Sequence, residues 1–447
     1  MRQKDDPAWL QMLLLLLFVF SADALHAESE APESVELIAD GFDLPSNLAS
    51  PRDGRGRIYV TEQYRGDIRV IAAGRLLPES FLDLRDRVIE DPNYEEGLLG
   101  LAFAPDFPRR PYAYVTYISR AGELVLSRFE VAQSGLSAIA SSERVLLALP
   151  RIERLHHCGH IQFGPKDGLL YLCVGDTQGN LRGPYPIEPV AQAPDRPLGK
   201  ILRLDVEPRA PVAALQSPSE VAPVRPYKIW ATGLRNPWRF AFDPATGDML
   251  IPDVSRYHWD EINFWPASGR SGANFGWPLA EGNECVQRCD TADLVWPIYE
   301  YSHRDDRCAV IGGAVYRGAA FPQWRGVFVF GDLCSGEIWA LRNANHEPEI
   351  YKIATTDLMP HAIGTRFDGE ILLADSRAGA VWRLLFPVID DGGWVPVDRV
   401  MLAMVLEARR DGFDRSKEEL DRTLASRTWR WSRPVAKLYG YISRLFD

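Results

Sequence analysis

One short phrase is written six times along this chain, and that recurrence constrains the fold more than any other feature. Residues 57–62 and 66–70 read as two short strands joined by a glycine turn. The pattern returns at 112–117 with 122–126, at 170–173 with the late partner 199–204, and at 248–253 with 260–263. It returns again at 326–332 with 336–341 and at 369–375 with 379–384. Paired apolar strands of this kind bury their faces only by packing against neighbouring sheets, so six in series predict a radially repeated all-β fold. The expectation is an all-β, six-bladed β-propeller over residues 35–386. A decorated β-sandwich is the alternative, and nothing in it calls for six units.

The spacing is irregular because the third and fourth units carry long insertions, among them the proline-rich residues 184–189 and residues 274–296. Insertions of this kind sit on one face and shape the site there. Beyond Pro387 the pattern changes. Residues 400–409 mix apolar and charged positions, and 416–424 have helical spacing with Ser416 as a cap and Glu419 three residues later. Residues 435–446 read as a basic amphipathic helix. A short helical C-terminal extension over 387–447 is therefore expected, packed on the propeller rim or, alternatively, touching a membrane surface.

A formal charge of -11 argues against nucleic acid as the main partner, since a phosphate-binding surface needs concentrated Lys and Arg, though it leaves room for a local basic patch. The first 27 residues have the order of a secretory signal: Arg2 and Lys4, an apolar run from Met12 to Phe20, and small residues ending at Ala24 or Ala27. A periplasmic or secreted protein is expected, with an uncleaved anchor as the alternative. Export makes the six cysteines interpretable as disulfides. The expected pairs are Cys158 with Cys173 across a hairpin, Cys285 with Cys289 within a loop, and Cys308 with Cys334 between a loop and a strand. Sequence leaves the connectivity open, and a zinc site is the rival reading.

The third unit differs from the others by its histidines. His156, His157 and His160 precede a strand, a glycine turn and a second strand that ends at Asp176. Imidazoles are thereby placed beside the mouth of a sheet. Taken alone, the three histidines read as structural or pocket-lining, and a His156/His160 metal pair is a further possibility.

With the six units laid out, the chain resembles the glucose/sorbosone dehydrogenase family, in the branch that includes hedgehog-interacting-protein-like proteins. The resemblance rests on the run 95–107 beginning Glu95-Glu96-Gly97, on the His156 stretch, and on Gly233-Leu234-Arg235-Asn236-Pro237-Trp238-Arg239-Phe240. Residues 260–263, 274–278, 311–318 and 331–339 carry it further. It implies oxidation of the C1 hydroxyl of an aldose or related polyol, with pyrroloquinoline quinone (PQQ) and Ca2+ as cofactors and a soluble electron acceptor. It also implies His156 as catalytic base with Arg235 beside it, and Glu95, Arg235 and Asn236 at the quinone. For the calcium neighbourhood it implies Asp260, Glu261 and the backbone near Phe275, with the backbone carbonyls of Ser255 and Arg256 holding the calcium.

These residue types suit the implied chemistry. A base takes the hydroxyl proton, a cofactor supplies the electron sink that side chains lack, and calcium takes hard oxygen ligands. Taken alone, Arg235 reads equally as a tie between blades, and Asp260 and Glu261 as turn residues or blade-to-blade hydrogen-bond acceptors. Two departures from the family pattern stand out. Leu155 precedes His156 where a polar residue is usual, which leaves Asp176 or a carbonyl to orient the ring. The lysine and two arginines that grip the cofactor's carboxylates are replaced by Cys334, Met359 and His361, with Arg304, Arg307, Arg317 and Arg366 as candidate substitutes. These departures keep a second class open: a non-catalytic, calcium-containing propeller that binds a carbohydrate or protein.

Overall fold

The computed structural model describes residues 34–398 and 400, apart from 91, 93–94, 151–154, 178–188, 207–226, 257–258, 287–289, 291–292, 345–346 and 390–392. Six sheets form the six blades of a propeller, antiparallel apart from a short parallel pairing of Lys228–Thr232 with Ala273–Asn274 in blade 3. Each strand pair expected from the sequence is the middle hairpin of a blade, as in Ile58–Glu62 with Asp67–Ala72 and Ile371–Asp375 with Ala380–Leu384. An inner strand is added to each hairpin: Pro45–Ala49, Leu98–Phe103, Cys158–Phe163, Ala241–Phe242, Val310–Val315 and Pro360–Thr365 from blade 1 to blade 6.

Packing follows from strand alternation, because successive side chains face opposite sides of a sheet. In blade 1, Tyr59 joins Val115 and Phe129 of blade 2, while Val60 on the opposite face joins Leu372 and Ala374 of blade 6. Four further apolar clusters fill the other inter-blade spaces in the same way. Burial on both faces explains why the strands read as unbroken apolar runs. Val35–Asp40 closes the ring by pairing antiparallel with Ala380–Leu384 of the last blade.

The helical C-terminal extension is corrected. Among the described residues no helix reaches seven residues. The described part of the extension instead adds the short strand Val395–Pro396 to the outer edge of blade 5, against Glu349 and Ile350. Trp394 accounts for this: it is buried against Trp324 and Tyr351, which holds the chain on the sheet edge. The helical readings at 401–447, the secretory signal at 1–27 and residues 184–188 of the proline-rich insertion lie outside the described residues.

Candidate functional site

The loops entering the inner strands of blades 2, 3 and 4 bring Glu95, His156, Arg235 and Asn236 together at one end of the channel. The histidine turn is tightly bent: His156, Cys158 and Gly159 all lie in the left-handed region, at φ of 57°, 56° and 78°. Such conformations persist in non-glycine residues only where their surroundings impose them. Two features do so here. A Cys158–Cys173 disulfide ties the turn to the second strand, and Gly175 leaves room for the turn, since a Cβ there would lie 2.1 Å from the His156 carbonyl.

His156 is buried and its Nδ1 lies 2.6 Å from Asp176 Oδ1. The other carboxylate oxygen, Oδ2, accepts from Trp277 Nε1 at 2.8 Å. Asp176 therefore fills the orienting role that Leu155 leaves vacant, and it fixes the ring with Nε2 as the nitrogen left for chemistry. The His156 backbone N–H donates to Glu95 Oε2, and Asn236 Nδ2 is 3.4 Å from the same oxygen. Burial holds the Glu95 carboxyl above its ordinary range, against opposing pulls from His156 and Arg235.

Arg235 and Asn236 are aimed by Asp253, whose two oxygens accept their backbone N–H groups at 2.7 Å each. Burial pushes the Asp253 carboxyl up to about 7. The Arg235 guanidinium donates to the carbonyls of Val254 and Ser255 at 2.8 and 2.7 Å and lies over the Trp277 ring. The amide oxygen of Asn236 is buried with no partner among the described residues, which a bound polar ligand would satisfy. Trp277 and Asp253 are absent from the sequence-based site. Trp277 lies 101 residues from Asp176 and arrives on the insertion after blade 4's first strands.

The five residues expected at calcium do not form one ligand set. Asp260 and Glu261 are adjacent in the strand Trp259–Trp265 and so face opposite sides of it. Asp260 accepts from the Ser255 and Val310 amides, His303 and Tyr301, which ties blade 4 to blade 5. Glu261 accepts from Asn263 Nδ2 and the Gly282 amide, and burial beside Asp253 raises its carboxyl well above the usual range. The Ser255 carbonyl faces Arg235, and the Phe275 amide donates to the Thr232 carbonyl in the backbone ladder. No group of three or more His, Cys, Asp or Glu suited to a metal occurs among the described residues. As a set these residues do not fit calcium, whose cage needs six to eight converging oxygens.

A Cys308–Cys334 disulfide removes the Cys334 thiol from the channel mouth, and the Met359 amide is held by Asp375. Cys285 is also disulfide-bonded, while Cys289 lies outside the described residues. Three of the four arginines considered as substitutes are already paired: Arg307 with Glu337, Arg317 with Asp243 and Arg366 with Asp368. Arg304 is engaged elsewhere as well. His157 lies 3.9 Å from Glu96 as a buried pair. His160 sits edge-on to Phe240 with its Nδ1 3.3 Å from Arg239, so it makes no metal pair with His156.

Comparison with known proteins bears on this site. The family model described as Glucose / Sorbosone dehydrogenase matches residues 42–383. The HIPL2 protein of Arabidopsis thaliana is 32% identical over 419 aligned positions, covering 76% of this chain and 58% of that relative. The chain thus spans little more than half the length of that plant protein. Aldose sugar dehydrogenase YliI of Escherichia coli K12 is 26% identical, over 72% of this chain and 84% of its own. A PQQ-bound aldose sugar dehydrogenase from Streptomyces coelicolor shares the fold with a TM-score of 0.60 at 20% identity, covering 79% of this chain and 96% of its own.

Proposed function

Since the chain belongs to the glucose/sorbosone dehydrogenase family, we propose that it is an oxidoreductase acting on the C1 hydroxyl of an aldose or related polyol with PQQ as cofactor. The observation that carries this reading is the His156–Asp176–Trp277 relay, a buried imidazole oriented through both oxygens of one carboxylate. A propeller that only binds has no need of such a relay.

PQQ, when bound, supplies the electron-accepting group that no side chain provides. Glu95, Arg235 and Asn236 would hold it, because they frame the histidine and include an unsatisfied buried amide oxygen. His156 Nε2 takes the proton of the sugar hydroxyl. Asp176 keeps the proton of the resting ring on Nδ1 and stabilises the imidazolium as it forms. Arg235, anchored on two carbonyls, places fixed positive charge beside the reacting oxygen, where the low dielectric strengthens it. Calcium enters no step.

The acceptor of the electrons is proposed to be a soluble carrier. No helix among the described residues is long and apolar enough to cross a membrane. Export to a periplasmic or extracellular space is supported by the disulfides, which persist in oxidising compartments. The absent lysine and arginine anchors favour the second reading, a propeller that binds a carbohydrate or protein without redox chemistry. Loading the full chain with PQQ and adding an aldose panel with a reducible dye separates the two. Sugar-dependent reduction supports the enzyme, and a chain that takes up PQQ but reduces nothing with any sugar supports the binding module.

A further inference from the structure

Trp277 gives its indole N–H to Asp176 although the two residues come from distant parts of the chain, so the backbone of Trp277 must itself be fixed. It is held at both ends. The Trp277 N–H donates to the Gly233 carbonyl at 3.0 Å, and the Trp277 carbonyl accepts from Gln192 Nε2 at 2.7 Å. Gln192 lies 85 residues away, in the single 3₁₀ turn Val190–Gln192 that precedes the third strand of blade 3. Its amide also makes a reciprocal pair with Asn274: Nε2 is 3.0 Å from Asn274 Oδ1, and Asn274 Nδ2 donates to Gln192 Oε1 at 2.8 Å. The backbone beside this pair is so close that a Cβ on Gly233 would lie 2.3 Å from Asn274 Oδ1 and 2.9 Å from Gln192 Nε2.

The turn that carries Gln192 is pinned in its own right. The carbonyl of Ala191 accepts from Lys200 Nζ at 2.6 Å, from the Gly233 N–H at 3.0 Å and from Thr232 Oγ1 at 3.0 Å. Lys200 is fully buried and gives its other donors to the carbonyls of Leu198 at 2.9 Å and Val190 at 3.3 Å. An ammonium has three N–H bonds, and one loop takes them all. Burial pulls this ammonium down to about 8, with Asp195 opposing. A buried cation that lost these acceptors would be left unsatisfied, so the turn has little freedom to move.

With its backbone held at N–H and carbonyl, Trp277 keeps only its side-chain torsions, and burial against Ala191 and under the Arg235 guanidinium restricts those. Asn274 closes its own turn without help, since its Oδ1 accepts from the Gly276 N–H at 3.0 Å. What Gln192 adds is the hold on the Trp277 carbonyl. We infer that Gln192 is a positioning residue for the proposed reaction: it places the indole N–H of Trp277 on Asp176 and so keeps the His156 ring in its working orientation. The inference rests on the reading of His156 as the base, and Gln192 acts on it only through Trp277 and Asp176.

The test compares the full chain with Gln192→Glu, Gln192→Ala, Trp277→Phe and the Gln192→Glu/Trp277→Phe double variant. Gln192→Glu keeps the shape of the side chain and removes the donor, while Gln192→Ala removes the side chain without adding charge. Two NMR signals are read with neither cofactor nor sugar present: hydrogen exchange of the Trp277 indole N–H and the Nδ1–H proton of His156. In both Gln192 variants the indole should exchange roughly tenfold faster and the imidazole proton signal should broaden. In the PQQ-loaded chain, kcat with an aldose should fall roughly tenfold while KM and PQQ affinity stay unchanged. Added to Trp277→Phe, Gln192→Glu should cost nothing further, because both changes break one route. Unchanged indole exchange together with an unchanged imidazole signal overturns the inference, whatever the rates do. A loss in the Trp277→Phe background as large as that in the unaltered chain overturns the route through Trp277. Altered NMR signals in chains that oxidise no sugar uphold the positioning of the His156 ring and remove the redox reading instead.

Discussion

Blades 3 and 5 use the same local device for different ends. In blade 3 a disulfide clamps the histidine turn to the second strand, in blade 5 a disulfide ties the entering loop to the turn just after the second strand, and in both an aspartate follows a glycine near that strand's end: Asp176 after Gly175 and Asp332 after Gly331. Asp332 spends its oxygens on the amides of Cys308, Ala309, Cys334 and Ser335 and on the Tyr301 hydroxyl. Asp176 instead turns both oxygens to side chains, His156 and Trp277. One aspartate is a fastener and the other orients the imidazole proposed as the base. Chemistry here arises by redirecting a repeated structural element, which is why the scaffold around the histidine resembles its neighbours so closely.

That contrast can be broken most sharply at the aspartates. Asp176→Asn leaves the His156 ring without its charged partner, and kcat should fall by about 100-fold or more with little change in folding. Asp332→Asn should do the reverse: melting temperature drops, because buried amides lose a charged acceptor worth about 1.5–3 kcal/mol in each strong contact, while kcat of the folded fraction stays near its original value. Steady-state kinetics beside thermal melts separate the two outcomes.

The disulfides sharpen it next. Their sequence separations are 15 and 26 residues, and each should stabilise the fold by about 3 kcal/mol through the unfolded chain. Replacing either pair by serines should therefore cost similar stability in denaturant titrations. Only the Cys158/Cys173 pair should also lower kcat, because it holds the left-handed turn of His156. Equal kinetic losses from both pairs would show that the clamp has no special relation to the base. A smaller effect, about tenfold in kcat, is expected for Trp277→Phe, which keeps the ring against Arg235 but removes the donor to Asp176 Oδ2.

The smallest effect separates site histidines from channel histidines by acid. His160 and His361 titrate near 3 when folded, against an ordinary 6.5, so the unfolded chain binds more protons between those values. Their contribution is complete above pH 6.5 and is lost as pH falls toward 3. His361→Gln should flatten the acid side of the stability profile, measured as midpoint denaturant concentration from pH 7 to pH 4.

Much of the fold was legible because the middle strand pairs are short apolar runs, joined in blades 1, 2, 5 and 6 by glycine turns. The inner and closing strands were not. Ala241–Phe242 is two residues long, and Val35–Asp40 acquires its role only by pairing with Ala380–Leu384 at the far end of the chain. At the site, Asp176 could be suspected from its place at a strand end, whereas Trp277 and Asp253 depend on contacts that no spacing reveals. The calcium reading overlooked an available signal: Asp260 and Glu261 are neighbours in a strand, and neighbours face apart. Arg307 and Arg317 looked free because their carboxylate partners, Glu337 and Asp243, lie 30 and 74 residues away, whereas the partner of Arg366, Asp368, is only two residues on and could have been suspected.

The central claim, that His156 is the base of a quinone-dependent sugar oxidation, is tested most directly by the rate of aldose-dependent dye reduction in the PQQ-loaded full chain beside His156→Ala. A sugar-dependent rate that falls by about 10²- to 10⁴-fold in the variant, with PQQ still bound, is the predicted result. An undiminished rate in His156→Ala, or no sugar-dependent rate in the loaded unaltered chain, would contradict it.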